Sequence, residues 1–334
     1  LALRVMLGAG LIKLRGDACW TDLTCLEAHF ETQPLPNPVS WYFHHLPPWL
    51  LHAGVVFNHI AELALPLLAF GPRRLRILAG LGMIAFQVNL IVSGNLSFLN
   101  WLTIVPCIAC LDDRLLARVL PRRLSRDLVD APATRRSHLT ACVYAALVAW
   151  LSVPVVANML GRGQAMNASF DRLHLVNTYG AFGSVSTVRL ELEIEGTDAT
   201  EPDERAVWRP YAFYCKPGDP ARRPCWAAPY HHRLDWLMWF AALDVAANGG
   251  LARETWLLAL LDKLLAADPQ VLSLMAPPPN FAGGAPTFVR VEVYRYRFTA
   301  AGERAWWQRE RLGSLIRPVS RDDPELRALL DDGA

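Results

Sequence analysis

Apolar positions along this chain follow two regimes. Up to residue 160 they form long unbroken runs, and beyond it they alternate or recur at helical spacing. Leu50–Phe70 holds 21 residues and one charge, Glu62; Ile77–Leu111 holds 35 and none; Leu139–Leu160 holds 22 and none. A bilayer core takes roughly 20 helical residues, so the first and third runs each predict one span. The middle run is too long for one, and Ser93-Gly94-Asn95 near its centre predicts a hairpin of two short helices. Leu1–Leu14 reads as the end of a further helix whose start is missing. The expectation is a transmembrane region over 1–160 with about five helices (1–14, 50–70, 75–93, 96–111 and 139–160), an outer loop at 16–48 and a cytosolic loop at 112–138.

From Gly161 the pattern changes. Ser186–Glu195 (STVRLELEIE) alternates strictly, with Val188, Leu190, Leu192 and Ile194 on one side and Arg189, Glu191, Glu193 and Glu195 on the other. That predicts a strand with one buried and one wet face. Thr287–Thr299 (TFVRVEVYRYRFT) repeats the alternation with aromatics, and Pro210–Cys215 reads as a shorter strand. Helices are expected over His231–Leu243 and Arg253–Ala267, the second with an apolar stripe of Leu257, Leu258, Leu261, Leu264 and Leu265. The expected fold is a multi-span α-helical membrane bundle followed by a soluble α+β, strand-rich domain over 161–334.

Composition supports the membrane assignment: 53% of residues are hydrophobic. The 33 basic and 31 acidic residues nearly cancel, so overall charge gives no nucleic-acid signal. Their distribution sets orientation. Residues 71–76 (GPRRLR) carry three arginines and Asp112–His138 seven, whereas 16–48 contain no Lys or Arg. By the positive-inside rule the arginine-rich loops face the cytosol. Loop 16–48 and everything after Leu160 then face the endoplasmic reticulum lumen, or the periplasm of a bacterium.

The seven cysteines sort the same way: Cys19, Cys25, Cys215 and Cys225 fall outside, Cys107, Cys110 and Cys142 in spans or near the cytosolic face. An oxidising compartment permits disulfides. Cys215–Cys225 and Cys19–Cys25 are the expected pairs, with a cross-bridge between loop and domain as the other arrangement. Closing a loop of about ten residues is worth on the order of 3 kcal/mol in the chain-entropy model. Cys107-Ile108-Ala109-Cys110 has redox-motif spacing, but inside an apolar span it reads as packing thiols. Of two sequons, Asn95 lies at the membrane surface, and Asn167 is the glycosylation candidate.

The densest candidate chemistry is KPGDPARRPCWAAPYHHRLDWLMWFAAL, Lys216–Leu243. Gly218-Asp219-Pro220 and Pro224 set a turn that a Cys215–Cys225 bridge would close. Arg222 and Arg223 are expected to project outward, with Tyr230, Trp236 and Trp239 on or just before the following helix. Trp, Tyr and Arg dominate protein-interaction hot spots, so this stretch is the candidate docking surface, with Trp306 and Trp307 as further contacts. The competing reading makes Trp236, Trp239 and Phe240 the helix's core face.

A second constellation lies in the apolar runs. His52, His59 and Glu62 share one helical face, and Gln87 and Asn89 sit in the neighbouring hairpin. Intramembrane ionisable groups point to function by default. This cluster is either an interhelical hydrogen-bond network or a site for a metal, haem, quinone or proton relay. His44-His45 and His231-His232 read as surface or turn residues. The sequence has no G-x-S-x-G elbow, H-E-x-x-H motif or phosphate loop, so no catalytic residue, metal ligand or cofactor is assigned.

Four stretches carry a resemblance: GLIKLRGDACWTDLTCLEAHFETQPLPNPVSWYFHHLPPW, QVNLIVSGNLSFLNWLTIVP, LVNTYGAFGS and the Lys216–Leu243 segment. They closely resemble the lipase maturation factors, nearer the first vertebrate paralogue than the second. The resemblance implies a multi-pass membrane protein of the endoplasmic reticulum, with its C-terminal domain in the lumen. It implies a chaperone or assembly factor, rather than an enzyme, for secreted homodimeric lipases of the lipoprotein lipase and hepatic lipase type. Membrane lipid and luminal redox chaperones complete the expected partners, without nucleic acid. A more distant likeness to vitamin-K-dependent carboxylases supports the alternative, a membrane enzyme or redox protein built on His59 and Glu62.

Overall fold

The computed structural model describes residues 1–119, 121, 135–252, 254 and 256–332. Much of the expected 112–138 loop, and Arg253 and Thr255 of the expected Arg253–Ala267 helix, lie outside the described residues. The helical part runs α1 (Ala2–Arg15), α2 (Leu26–Thr32), α3 (Pro38–His44), α4 (Pro48–Leu68), α5 (Arg73–Ser93), α6 (Leu99–Ile108), α7 (Asp113–Val119) and α8 (Arg135–Leu160). Then follow β1 (Arg189–Thr197), β2 (Arg209–Pro210), α9 (Arg233–Asn248), α10 (Trp256–Leu265), α11 (Pro269–Leu272), β3 (Phe288–Phe298), β4 (Trp307–Ser320) and α12 (Pro324–Asp332). The chain forms two compact units: residues 1–27, 46–92 and 99–185, and residues 28–45, 93–98 and 186–334.

In the first unit, α4, α5 and α8 are long and apolar enough to cross a membrane. The other two expected spans are shorter: α1 has 14 residues and α6 has 10, about 21 and 15 Å at 1.5 Å per residue, against a core of roughly 30 Å. Pro66 lacks an N–H, and α4 widens into a π turn at Ile60–Ala64 just ahead of it. Met6, Ala61, Leu65, Ala79, Met83, Phe86, Cys107 and Cys110 form the buried core. Cys107 and Cys110 are free thiols within it.

Residues 161–185 pack with this helical unit, so the units divide at 185 and not at the expected 160. The cause is long-range hydrogen bonding to the segment after α1. The Trp20 indole donates to the Phe182 carbonyl at 2.9 Å, the Val185 N–H to the Asp17 carboxylate at 2.7 Å, and the Asp17 N–H to the Gly183 carbonyl at 3.0 Å. Gly16 permits the approach: a Cβ there would lie 1.9 Å from the Gly183 carbonyl oxygen. Asn167, exposed, adopts φ +53° and donates to the Gly180 carbonyl at 3.1 Å.

The second unit is built on a four-stranded antiparallel sheet, order β2-β1-β3-β4, in which Leu192 faces Val293 and Glu195 faces Arg290. One face packs under α9 and α10: Leu192, Ile194, Val289, Val291 and Val293 meet Met238, Ala241, Val245, Leu257, Leu261 and Leu264. Two elements escape the hydrophobic pattern. β4 (WQRERLGSLIRPVS) lacks strict alternation because its pairing with β3 shifts register at three points, and each shift turns side chains to the other face. The expected Pro210–Cys215 strand shrinks to Arg209–Pro210.

The larger correction concerns the supposed wet face of β1. Arg189, Glu191, Glu193 and Glu195 are all buried. The sheet is covered on both sides, once by apolar helices and once by polar chain drawn from far along the sequence.

Candidate functional site

The charged sheet face is closed by ion pairs. Arg189 contacts Glu191 at 2.5 Å, Lys216 reaches the other Glu191 oxygen at 2.8 Å, Arg309 holds Glu193 at 2.7 Å and Arg290 holds Glu195 at 2.6 Å. Buried carboxylates are tolerable only when so paired. The Arg189 guanidinium also donates to the carbonyls of Glu31 (2.9 Å), Gln33 (2.5 Å) and Pro34 (3.0 Å), and so anchors the end of α2 and the segment after it. The Glu31 carboxylate accepts the Phe298 N–H at 2.7 Å, the Trp41 indole donates to the Thr299 carbonyl at 3.2 Å and the Trp239 indole to Thr32 at 3.0 Å. His44 lies 3.8 Å from Glu31. Burial raises the Glu31 pKa; burial, with His45 alongside, lowers that of His44.

The disulfide turn completes this cover. Cys215 pairs with Cys225, and in the first unit Cys19 pairs with Cys25. The Tyr296 hydroxyl donates to the Gly218 carbonyl at 2.6 Å beside Glu193; burial and that carboxylate raise its pKa. The Trp306 and Trp307 N–H groups donate to the Pro220 carbonyl at 3.0 and 3.2 Å. The Asp235 carboxylate, at the start of α9, accepts the N–H groups of Cys215 (2.6 Å) and Lys216 (2.8 Å). The cluster of turn-formers in KPGDPARRPC therefore seals the charged side of a sheet.

This reassigns several candidates. Arg222 does not project outward: its guanidinium donates to the carbonyls of Phe213, at 2.7 Å, and Lys216, folding into the turn. Trp307 is 2% exposed and stacked on Phe298 at 4.2 Å, a core residue. Arg223 stays exposed, 5.8 Å from the ring of a half-buried Trp306 that meets Trp41 edge-on, and Tyr42 next to Trp41 is 59% exposed. Exposed Arg223 and Tyr42, with half-buried Trp306 and Trp41 between them, form one group at the surface.

A second aromatic group runs along α9. Tyr230 is 67% and Phe240 44% exposed, with half-buried Trp236 and Trp239 between them in ring contact with Phe240. Tyr230 and Tyr214 flank His232, and Phe98 meets His231, which meets Trp236. Burial, with Arg233 and His232 nearby, lowers the His231 pKa. Asn95 holds the start of this strip: its amide donates to the Cys225 carbonyl at 3.0 Å and accepts the Ala227 and Ala228 N–H groups at 2.9 and 3.1 Å. Sequence reading noted Asn95 only as a turn residue and a sequon; burial to 1% exposure shows its structural work.

The intramembrane polar residues do not converge. His52 contacts Glu27 at 3.0 Å, His59 the Trp20 carbonyl at 2.9 Å, and Gln87 accepts from Asn100 at 2.7 Å; Asn89 is half-buried. Glu62 binds Lys13 through both oxygens, at 2.7 and 2.8 Å, while Lys13 also donates to Asn58 at 2.8 Å. Lys13 was the missed partner, though a lone buried lysine in an otherwise apolar stretch of α1 is itself a signal for a carboxylate elsewhere. Among the described residues, no group of three or more His, Cys, Asp or Glu could hold a metal ion.

Fold and site define a membrane-anchored protein: apolar helices long enough to cross a bilayer, followed by a disulfide-clasped sheet domain. Residues 1–118 match the lipase maturation factor transmembrane domain, and residues 175–317 match the lipase maturation factor C-terminal domain. The chain is 48% identical to lipase maturation factor 1 of Bos taurus over 97% of its length, and 47% identical to that of Homo sapiens over 99%. Identity to lipase maturation factor 2 of Xenopus laevis is 27% over 99%. The chain belongs to the lipase maturation factor family and stands closer to factor 1 than to factor 2. It spans 61% of the length of these relatives. No solved structure matches it.

Proposed function

We propose that this chain is a membrane-anchored, non-enzymatic assembly factor for secreted homodimeric lipases, of the lipoprotein lipase kind. Similarity to lipase maturation factor 1 over 97% of the chain carries the reading. The sheet domain acts from the lumen of the endoplasmic reticulum, an oxidising space that suits its Cys215–Cys225 clasp. The client surface is the group of Arg223, Trp306, Trp41 and Tyr42. There, aromatic area lies beside a disulfide-closed turn and the exposed Arg223 guanidinium, which lowers the ordering cost of binding. A factor that holds the unpaired dimer surface of a folding lipase shifts it away from aggregation by mass action and needs no cofactor.

The test is rescue of secreted lipase activity in cells that lack their own factor. Arg223→Glu with Tyr42→Ala is expected to lower active lipase and its co-precipitation while expression of the factor stays normal. Full rescue by that variant, with client binding intact, rejects this surface. Failure of the wild-type chain to rescue rejects the lipase reading itself.

A further inference from the structure

The aromatic strip along α9 has a composition and an attachment that the lipase reading does not use. Over residues 226–240 the only formal charges are Arg233, which is exposed, and Asp235, which is 1% exposed. The exposed aromatics of the strip and its neighbour Phe98 are therefore Trp226 (55%), Tyr230 (67%), Phe240 (44%) and Phe98 (46%), with one exposed cation and no exposed acid over 226–240. Tyr and Trp concentrate at membrane–water boundaries because their rings are amphipathic, and a basic residue there meets anionic headgroups.

Attachment supplies the second argument. α5 opens with Arg73, Arg74 and Arg76, so its uncharged part, 77–93, has 17 residues, about 26 Å at 1.5 Å per residue, close to the roughly 30 Å hydrocarbon core. The three arginines, with Arg73 paired to Asp112, set one end of α5 at a membrane boundary by their charge, and Ser93 then ends α5 near the other. Asn95, two residues further on, is bonded to Cys225, Ala227 and Ala228, the first residues of the strip. Two extended residues reach at most about 7 Å to the Asn95 backbone, and its side chain with the hydrogen bond adds about 6 Å, so the strip begins within about 13 Å of the end of α5. The headgroup layer is about 5–7 Å deep on each side of the core. Three residues past Asn95, Phe98 leads directly into α6, whose Leu99, Trp101, Leu102 and Val105 are 55%, 45%, 59% and 62% exposed. Phe98 also touches His231 in the strip. Chain reach and the Phe98 contact thus start the strip beside the headgroup layer, where a protein partner would compete with headgroups.

We propose that the aromatic strip of Phe98, Trp226, Tyr230 and Phe240, with Arg233, seats in the phospholipid headgroup layer. Its occupant is the lipid surface. The Asn95 clamp holds the strip's first turn at that depth, and Arg233 faces the anionic headgroups. The sheet domain is then fastened to the membrane through this strip as well as through its covalent links.

The experiment uses the full chain in cell membranes. A photoreactive p-benzoylphenylalanine replaces Tyr230 in one variant, Phe240 in a second and Glu310, 66% exposed on β4, in a third as control. After irradiation, mass spectrometry of the purified protein reads phospholipid adducts. The expected result is lipid attached at 230 and 240 and none at 310. Both tolerant exposed sites free of lipid, or equal labelling at all three, overturns the proposal. Protein adducts in place of lipid at 230 and 240 also overturn it, and assign the strip to a protein partner. The outcome is independent of lipase rescue, so it fails or stands apart from the client reading.

Discussion

Replacing Arg189 by Met isolates the charged face of the sheet as a source of stability. The side chain is 1% exposed, so methionine fills most of the stem's volume while removing every polar contact. Two kinds of loss follow. Glu191, also 1% exposed, keeps only Lys216, and breaking a buried pair costs about 3–5 kcal/mol. The carbonyls of Glu31, Gln33 and Pro34 lose a charged donor, and each buried acceptor left without one costs about 1–3 kcal/mol. Neighbouring contacts are not additive, so a net loss on the order of 5 kcal/mol is expected, a large share of the roughly 5–15 kcal/mol of a typical domain. At about 2–4 °C per kcal/mol for a domain this size, the melting temperature should fall by about 10–20 °C. Arg189→Lys keeps a charge for Glu191 but not the planar fork for three carbonyls, and should fall between. Thermal unfolding read by tryptophan fluorescence, with limited proteolysis of residues 31–45 in parallel, measures both. A change below about 1 kcal/mol for Arg189→Met, with the segment still protected, refutes the reasoning: apolar packing of Phe30 and Leu35 would then hold the segment without the charged network.

Two further expectations concern the remaining buried charges. In the helical unit, Lys13→Met and Glu62→Gln should each destabilise by about 3 kcal/mol while the double variant loses clearly less than the sum, because the second change removes a charge the first left unpaired; strictly additive losses in detergent melting curves would show that the two groups do not act as a pair. In the sheet unit, the lowered His44 pKa means the unfolded chain takes up that proton first, so the stability from a neutral His44 is present above about pH 6.5 and declines as pH falls through it. Glu31 acts in the opposite sense: with its pKa raised, its contribution is present below the ordinary carboxylate range and lost as pH rises through the folded value. Melting temperature should therefore fall on acidification below about pH 6.5, less steeply in His44→Asn and more steeply at the acid end in Glu31→Gln; an unchanged slope in His44→Asn counts against it.

The legible parts of this protein are those whose cause is local. Long apolar runs must be helical in a bilayer, because no other conformation of a single segment satisfies its backbone there, and α4, α5 and α8 occupy such runs. Strict alternation marks β1 and β3, since a pleat sends neighbours to opposite faces. β4 stayed hidden because its bulges break the period, and α12 because it is a short polar-rich helix with Leu326 as its buried anchor. Of the docking candidates, residue type alone could not separate Arg223 from Arg222 or Trp306 from Trp307, because neighbours in sequence differ only in which carbonyl or ring the fold brings beside them.

What the sequence by itself determined was the presence of a helical membrane part, a strand-bearing part after it, and the family to which both belong; hydrophobic periodicity and motif length are written in neighbouring residues. Only the tertiary structure decided that the charged side of β1 is interior, that Lys13 answers Glu62 across 49 positions, and that the cysteine-closed turn covers a sheet. A charge's burial depends on whether a complementary charge arrives from elsewhere in the chain, and alternation along one strand holds no record of that arrival.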